Sequence, residues 1–381
     1  MKFSIEYNKL VSALSFPNTV LADKSVEDKM KNVIFMVNEG SVRVVGWNVF
    51  TFSRTDVTPI SVEDVPESGE VFQVKASNLN KIIQSFSTLA KTHVEKLEFS
   101  YEGVKIMLSV YEVANSEEDA RLSQVSRFLL ENVPIMSNVQ KDITKEFPED
   151  VSLLPSGDLA FYIDSLTPIM SNDSSNTNAS KLNFDSEYVY VRTSYMSGLL
   201  KNKLPEAFRD LTLSYSSVSF IKKLTEFNDD IGVCKLDNYL CIQSGSTEAF
   251  LRYQKVKINY KTYLDKLSKE KGVRVDRLYL KDVLRRMSNL SPDGQMQITD
   301  DSLEVSNGNF SQSIPLNTVK QGTSGISFKV SIKFFESAIL GRDEVFTGDV
   351  FIYFVQQIRG YMIFMMDKTG AWISNTQVTG V

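Results

Sequence analysis

One strand-helix pattern occurs six times in the chain, and this internal repeat limits the possible folds more than any single residue does. Its clearest copy, ISFKVSIKFFESAIL at residues 326–340, begins as a strand of period two. Ser331 then stands at the N-cap position, and Phe334, Phe335 and Ala338 recur at helical spacing. The other copies lie at residues 2–16, 71–86, 159–172, 211–227 and 277–290.

Each copy is followed by antiparallel strands with turn residues between them, so the chain is predicted to be α+β. A helix of two or three turns is not stable by itself, and each helix should therefore pack on a sheet. In the third copy the pattern predicts a strand from Leu159 and a helix after Ser165. In the fifth it predicts a strand from Arg277 and a helix over residues 281–290.

The six copies group in pairs, which predicts three similar domains of two βαβββ units each. We place these domains at residues 1–115, 158–258 and 259–381. Residues 116–157 lack the pattern and are rich in Ser, Glu and Asp, as expected of a linker or insertion. Within this segment, residues 116–129 have the spacing of a capped amphipathic helix.

The composition excludes several classes of protein. Hydrophobic residues make up 42% and charged residues 23%, which is typical of a globular chain. A run of about 18 apolar residues is missing, and the first residues lack a signal-peptide core. We therefore expect a cytoplasmic protein with no membrane partner. Two cysteines, Cys234 and Cys241, are too few for a disulfide framework or a metal cage. We expect both of them to serve as small apolar residues within strands.

The sequence predicts no catalytic site, no metal and no cofactor. His93 is the only histidine, and the phosphate-binding, dinucleotide-binding, hydrolase and zinc-protease motifs are all missing from the sequence. Asp229-Asp230 and Asp300-Asp301 are pairs of adjacent carboxylates. Because neighbouring residues of a strand point to opposite faces, neither pair is well placed to bind one metal ion together. An enzyme whose site the sequence hides stays open as a weaker alternative.

The six predicted helices are more basic than the rest of the chain. They carry eight basic and three acidic side chains, whereas the whole chain has a net charge of −5. Such helices suit a DNA backbone bound without sequence specificity, although Lys and Arg also occupy solvated helix faces simply because they favour helices. The candidate DNA-binding residues on them are Lys9, Lys81, Lys222, Lys223, Lys281, Arg285, Arg286 and Lys333.

Several segments, among them MKFSIEYNKLVSAL at 1–14, VVGWN at 44–48 and LKDVLRRMSNL at 280–290, taken in order, resemble the bacterial β sliding clamp of the replicative polymerase. The resemblance covers most of the chain and is best in the last third, where LKDVLRRMSNL at 280–290 precedes the Ile326 copy. MKFSIEYNKLVSAL at the start, VVGWN at 44–48 and FLRYQKVKI at 250–258 resemble further segments of that family. No single motif is diagnostic, and the order of many weak ones carries the resemblance.

The resemblance implies a head-to-tail homodimer that closes into a ring around double-stranded DNA. Helices would line the inside of this DNA clamp fold, and antiparallel sheets would form the outside. The ring would act as a processivity factor that tethers a DNA polymerase. Met287 and Leu290 are candidates for the dimer interface, with burial in their own domain core as the alternative.

The resemblance also implies a pocket that takes short peptide motifs of the DNA polymerase and the clamp loader. The matching positions are Tyr195, Met196, Leu251, Val256, Trp372 and Ile373. Burial in the protein core is the alternative for each of them, since such residues are commonly buried. The resemblance places the first three of five further basic residues near the rim of the hole, where the family touches DNA, and the last two are additional basic candidates; a solvated run of charges is the alternative for all five. In this order, the five are Lys24, Lys29, Lys31, Lys201 and Lys203.

Two departures from the family are visible. The chain ends in SNTQVTGV instead of a Met-Pro-apolar-Arg tail, and residues 114–157 are longer than the usual connector. Both are typical of a divergent member, of bacterial or viral origin. The main alternative to a clamp is a β-rich structural or interaction scaffold that does not encircle DNA.

Overall fold

The computed structural model describes residues 1–22, 27, 31–87, 94–103, 105–113, 122–170, 181–192, 196–255, 270–339, 348–357, 360–366 and 372–375. The chain divides into two compact units. The first contains Met1–Gly157 and Ser219–Tyr253, and the second contains Asp158–Val218 and Gln254–Val381. The α+β class is confirmed, because antiparallel sheets carry short helices throughout the described residues.

Six β-α-β-β-β repeats follow one another. The first two are β1 (Lys2–Glu6), α1 (Tyr7–Leu21), β2 (Asn32–Asn38), β3 (Ser41–Trp47), β4 (Thr51–Val57), an additional β5 (Ser61–Glu63), then β6 (Glu70–Lys75), α2 (Ala76–Ser87), β7 (Val94–Glu102), β8 (Lys105–Val113) and β9 (Leu122–Glu131). A separate helix, α3 (Ser137–Ile143), precedes the third repeat.

The third and fourth repeats are β10 (Ser152–Pro155), α4 (Ser156–Leu166), β11 (Lys181–Phe184), β12 (Tyr188–Arg192), β13 (Met196–Lys201), β14 (Leu211–Ser214), α5 (Tyr215–Thr225), β15 (Asp230–Leu236), β16 (Tyr239–Ser244), β17 (Thr247–Arg252) and an additional β18 (Gln254–Lys255). The last two are β19 (Lys271–Asp276), α6 (Arg277–Leu290), β20 (Asp293–Ile298), β21 (Ser302–Ser306), β22 (Ser311–Val319), β23 (Ser327–Ser331), α7 (Ile332–Ile339), β24 (Asp349–Gln357), β25 (Gly360–Met366) and β26 (Trp372–Asn375).

The strand and helix predicted for the third and fifth copies are misplaced. The residues from Leu159 on belong to α4, and the strand of that repeat is β10. Leu159, Tyr162, Ile163 and Leu166 are all buried and have the i, i+3, i+4, i+7 spacing of a helix. The residues from Arg277 on are likewise helical, because the Asp276 side chain caps α6 by accepting a bond from the Tyr279 amide (2.7 Å).

The amphipathic helix predicted over residues 116–129 is also wrong. The described part of this segment belongs to strand β9, which pairs along the whole of β8. Leu130 is buried and Phe128 packs edge-on against Phe86, whereas Leu129 is 63% exposed. This alternation has the period of two that is typical of a strand. The segment also contains apolar residues at helical spacing, but it forms a strand because it pairs with the edge of β8.

Within each consecutive pair of repeats, the leading strands are exchanged. β1 pairs with β7 of the second repeat, and β6 pairs with β2 of the first. The same exchange joins β10 to β15, β14 to β11, β19 to β24 and β23 to β20. Each helix therefore follows a strand that belongs to the other repeat's sheet, so neither repeat of a pair is complete alone.

The core of the first compact unit lies between two sheets. These have the orders β5-β1-β7-β8-β9 and β10-β15-β16-β17-β4-β3-β2-β6. Four phenylalanines from the exchanged strands and their partners meet at ring-centroid distances between 5.0 and 6.2 Å: Phe3, Phe35, Phe72 and Phe99. All four are at most 1% exposed, so this aromatic cluster joins the two sheets.

The second compact unit contains a sheet of order β18-β14-β11-β12-β13-β26-β25-β24-β19-β22-β21-β20-β23. The antiparallel pair β13–β26 joins strands of the third and sixth repeats. α7 begins directly after Ser331, whose hydroxyl donates to the Pro292 carbonyl (3.4 Å). The three domains predicted at residues 1–115, 158–258 and 259–381 stay a prediction, because the two compact units do not test these boundaries.

The pairing of β4 with β17 joins the first and fourth repeats, and we call it the seam. Arg54 and Glu248 form an ion pair across it, although they are 194 positions apart. Arg54 is only 5% exposed, donates to the Lys145 carbonyl (2.5 Å) and stacks over the Phe250 ring (5.1 Å). The seam thus holds a buried charge pair inside a continuous sheet.

Residues 132–151, which we call the strap, cover one face of this sheet. Val139 and Ile143 of α3 join an apolar cluster with side chains of the sheet that include Trp47 and Phe250. Asp142 anchors the strap, because its carboxylate accepts bonds from Trp47 Nε1 (3.1 Å) and the Tyr239 hydroxyl (3.1 Å). Part of the predicted linker therefore serves as a cover for an apolar sheet face.

No helix among the described residues is long and apolar enough to span a membrane.

Removing one partner of the seam's ion pair should lower the free energy of unfolding far more than removing one partner of an exposed ion pair. Glu248→Ala leaves the Arg54 guanidinium buried without its counter-charge, and we expect a loss of roughly 3–5 kcal/mol in the free energy of unfolding. Asp56→Ala breaks the exposed Arg43–Asp56 pair (2.6 Å) and should cost about 0–1 kcal/mol. Urea denaturation measures both, and equal losses would contradict a buried pair.

A second prediction concerns the close approach of α1 to β3. A Cβ atom at Gly46 would lie 2.5 Å from Pro17 Cα and 2.7 Å from its carbonyl oxygen. Gly46→Ala should therefore lower the free energy of unfolding by roughly 1–3 kcal/mol, because backbone atoms must move apart. Gly157→Ala is the control, since open space surrounds that position within α4. The two variants should differ in melting temperature, and a neutral Gly46→Ala would refute the close approach.

Candidate nucleic-acid interface

Three helices lie side by side in the first compact unit. The side-chain amides of Asn18 on α1 and Asn80 on α2 bond to each other in both directions (3.1 and 2.9 Å). On its other side, α1 meets the part of α5 that belongs to this unit through the Phe16 and Phe220 rings, 6.1 Å apart. The helix order is therefore α2-α1-α5, which we call the helix row.

The helix row carries lysines and no carboxylates within its helical residues. Its four lysines are Lys9, Lys81, Lys222 and Lys223. Three of them are exposed, and Lys223 is half-buried. Lys9 has a local counter-charge, because Glu6 at the end of β1 lies 2.6 Å from its ammonium group. The row is thus a basic surface in a chain whose net charge is −5.

Lys223 differs from the other three lysines in its contacts. Its ammonium group donates to the Ser15 carbonyl (2.8 Å) and the Thr19 hydroxyl (2.9 Å) of α1, and it lies 5.8 Å from the centroid of the Phe16 ring. Burial lowers the pKa of Lys223, and the nearby Glu226 carboxylate opposes this shift. Lys223 therefore ties α5 to α1, which the sequence did not reveal.

In the second compact unit, α6 and α7 pack against each other. The Ser288 hydroxyl on α6 donates to the Glu336 carboxylate on α7. Arg285 and Arg286 of α6 are exposed, and Lys281 is half-buried. Arg286 Nη1 lies 3.8 Å from Asp282, one helical turn earlier, so its charge is partly compensated. This helix pair therefore carries a smaller basic excess than the helix row.

Tyr162 of α4 positions two exposed lysines, Lys201 at the end of β13 and Lys203 two residues later. The Tyr162 hydroxyl donates to the Lys201 carbonyl (2.7 Å) and accepts from the Lys203 amide (3.0 Å). Burial raises the pKa of the Tyr162 hydroxyl. Sequence analysis missed this positioning role, since no motif marks a tyrosine that bonds 39 residues away. Lys333 is exposed at the start of α7.

Several predicted residues lie outside the described residues or are described only by their backbone. Lys24, Lys29, Tyr195, Val256 and His93 are outside. Met196, Trp372 and Ile373 are placed by register on the adjacent strands β13 and β26, where Ile373 opposes Gly198 and Trp372 opposes Leu199. Leu251 is fully buried in β17 of the first compact unit. Lys31 is half-buried, and its carbonyl accepts a bond from the Ala76 amide (3.0 Å).

The two residues predicted for a dimer interface differ in exposure. Met287 is 3% exposed and packs inside its own chain, as the alternative of core burial describes. Leu290 is 55% exposed at the end of α6. Of the two side chains, only Leu290 is therefore accessible to another molecule.

The described residues contain no cluster of three His, Cys, Asp or Glu side chains that would hold a metal ion. Asp229, Asp230, Asp300 and Asp301 are all exposed.

Adjacent lysines on α5 should respond differently to mutation. Lys223→Ala removes two hydrogen bonds from a charged donor and should lower the free energy of unfolding by roughly 1–3 kcal/mol. Lys222→Ala alters an exposed side chain of the same type and should change it by less than about 0.5 kcal/mol. Thermal and urea unfolding of both variants test this, and the same loss in each would contradict a structural role for Lys223.

No protein-family model matches the sequence, and no curated protein matches it either. Solved structures, however, are similar over the full length. A DNA polymerase sliding clamp from Caulobacter crescentus matches with a TM-score of 0.74 and 11% identity over 100% of this chain and 99% of that one. The DNA polymerase III subunit beta from Pseudomonas aeruginosa matches with a TM-score of 0.70 and 13% identity over 100% of both chains.

The beta subunit of DNA polymerase III from Thermotoga maritima gives a TM-score of 0.69 at 14% identity, covering 100% of this chain and 99% of that one. The similarity is one of fold, since so few residues are shared. It nevertheless includes all six repeats, because it covers the whole chain. The protein therefore has the fold of the bacterial DNA polymerase III beta sliding clamps.

Proposed function

We propose that this protein is a DNA sliding clamp, a ring-shaped processivity factor that encircles duplex DNA and tethers a replicative DNA polymerase. The observation that carries the proposal is a full-length match to solved sliding clamps, covering 100% of this chain and 99–100% of theirs. Such a protein acts as a tether and not as a catalyst. It would work in the cytoplasm of a bacterium. The protein would be encoded either by that bacterium or by a virus that infects it.

The basic helices support contact with DNA. Phosphate groups are bound by Lys and Arg without reading the bases, which allows a protein to slide. Lys9, Lys81 and Lys222 of the helix row would supply this contact in the first compact unit, since all three are exposed. The further residues of the proposed DNA-binding set are Lys24, Lys201, Lys203, Lys281, Arg285, Arg286 and Lys333. Lys223 would contribute mainly by holding α5 in place.

The ring would close by a head-to-tail contact between two copies of the chain. β9 is the last strand of its sheet, and its Leu129 side chain is 63% exposed. A free strand edge with an exposed apolar side chain favours pairing with another chain. The exposed Leu290 on α6 is a candidate for the complementary surface. In such a contact, β9 of one copy would lie against the surface around Leu290 of the other copy.

A polymerase and a clamp loader would dock through short peptide motifs. The proposed pocket contains large apolar and aromatic residues, which commonly anchor such peptides. Its proposed members in the second compact unit are Tyr195, Met196, Val256, Trp372 and Ile373, whereas Leu251 is fully buried in β17 of the first unit.

Retention on circular DNA tests encirclement directly. The protein is loaded on nicked circular DNA, by a clamp loader or at high protein concentration, and then separated from free protein by gel filtration. A clamp stays on the circle and dissociates when a restriction enzyme cuts it, because it slides off the ends. Equal dissociation from circular and linear DNA would refute the ring and favour a scaffold that does not encircle DNA.

Charge removal tests the basic surface. The triple variant Lys81→Ala, Arg285→Ala, Arg286→Ala should weaken DNA retention and reduce the slope of log affinity against log salt by about 0.9 for each phosphate group that is no longer neutralised. The matched control replaces exposed lysines of strands, Lys105, Lys271 and Lys329, by alanine. An identical salt slope in both triple variants would contradict DNA binding by the helices.

A further inference from the structure

Cys234 and Cys241 occupy directly opposite positions on the antiparallel strands β15 and β16. Opposite residues of such strands have Cα atoms about 4.5–5.5 Å apart, and their side chains lie on the same face. A disulfide needs Cα atoms about 4.4–6.8 Å apart. The register alone therefore places the two thiols where a bond between them is geometrically possible. Both cysteines are free thiols in the structure.

The two thiols lie beneath the strap. They belong to the apolar cluster that contains Val139 and Ile143 of α3, and Cys241 is fully buried while Cys234 is 8% exposed. Burial raises the pKa of both thiols, so both stay protonated at neutral pH. A thiol reacts as its thiolate, and the closed strap therefore keeps the pair unreactive.

We propose that Cys234 and Cys241 form a redox-modifiable dithiol, which a low-molecular-weight disulfide such as glutathione disulfide converts to an intramolecular disulfide when the strap opens. This inference is independent of the proposed clamp function, since it rests only on the β15–β16 register and the strap. It assigns to the sheet face beneath the strap a site whose oxidation reports the opening of the strap.

The exchange takes place in two steps. Cys234, the more accessible thiol, loses its proton to solvent, and its sulfur attacks glutathione disulfide to form a mixed disulfide while one glutathione thiolate leaves. Cys241 then loses its proton to solvent, its sulfur attacks Cys234 Sγ, and the second glutathione leaves as a thiolate; each leaving thiolate takes up a proton from solvent. Two protein thiols are oxidised and one glutathione disulfide is reduced to two thiols, so atoms and electrons balance. The neighbouring position of Cys241 makes the second step intramolecular and fast.

The strap's anchor predicts how the reaction is controlled. The Asp142 carboxylate holds α3 by accepting from Trp47 Nε1 and the Tyr239 hydroxyl, and Arg252 lies 4.0 Å away. Asp142→Asn weakens charge-assisted hydrogen bonds and should raise the population of the open strap. We expect the variant to be oxidised roughly tenfold faster than the native chain, the factor that corresponds to a change of about 1.4 kcal/mol in the opening equilibrium.

The experiment incubates the full-length protein with glutathione disulfide under native conditions, quenches with acid, alkylates free thiols in denaturant and measures the intact mass. The native chain should lose two hydrogen atoms and both alkylation sites together. Cys234→Ser and Cys241→Ser, the controls, should give only glutathione adducts or unchanged protein. Adducts without an internal disulfide in the native chain would overturn the proposal, as would two intact thiols in both the native chain and Asp142→Asn. Equal oxidation rates in those two proteins would overturn control by the strap.

Discussion

The exchange of leading strands between paired repeats is the constraint on which the rest of the structure depends. A helix such as α1 leaves a strand in one sheet and enters strands of the other, so it is held between two sheets from both ends. The aromatic cluster around Phe3 and Phe35 forms only when both repeats are present. Because these interactions join different repeats, the core of a pair is complete only when both of its repeats are in place.

The seam has a second consequence, because it places Phe52 and Phe250 in an apolar cluster that contains side chains of α3 and none of the six repeat helices. Their rings stack at 4.4 Å across β4 and β17. An uncovered apolar face of this kind would be exposed to water, and the strap buries it. Asp142 fixes the strap by polar bonds at its centre. The long segment after the second repeat is thus part of the packing of the sheet.

The distribution of charge follows from the same architecture. Each helix packs one face on a sheet, and the other face is free to carry lysine. The helix row has no carboxylate, although acidic residues outnumber basic ones in the whole chain, 47 to 42. The packing of α5 on α1 gives its two adjacent lysines different environments. Lys222 is exposed to solvent, whereas Lys223 donates a hydrogen bond to α1. Within the helix row, a phosphate-binding role is therefore proposed mainly for the exposed Lys9, Lys81 and Lys222.

The sequence by itself determined the sixfold repeat, the α+β class and the fold family, since period and order are local and survive even at 11–14% identity. It did not determine which period a short apolar run adopts. The run at Leu159 became helix, whereas the one at Phe128 became strand because β8 offered a free edge. Nor could it separate Met287, which is buried, from Leu290, which is exposed. Tertiary structure decided these points, because burial and edge pairing depend on neighbours that are distant in sequence.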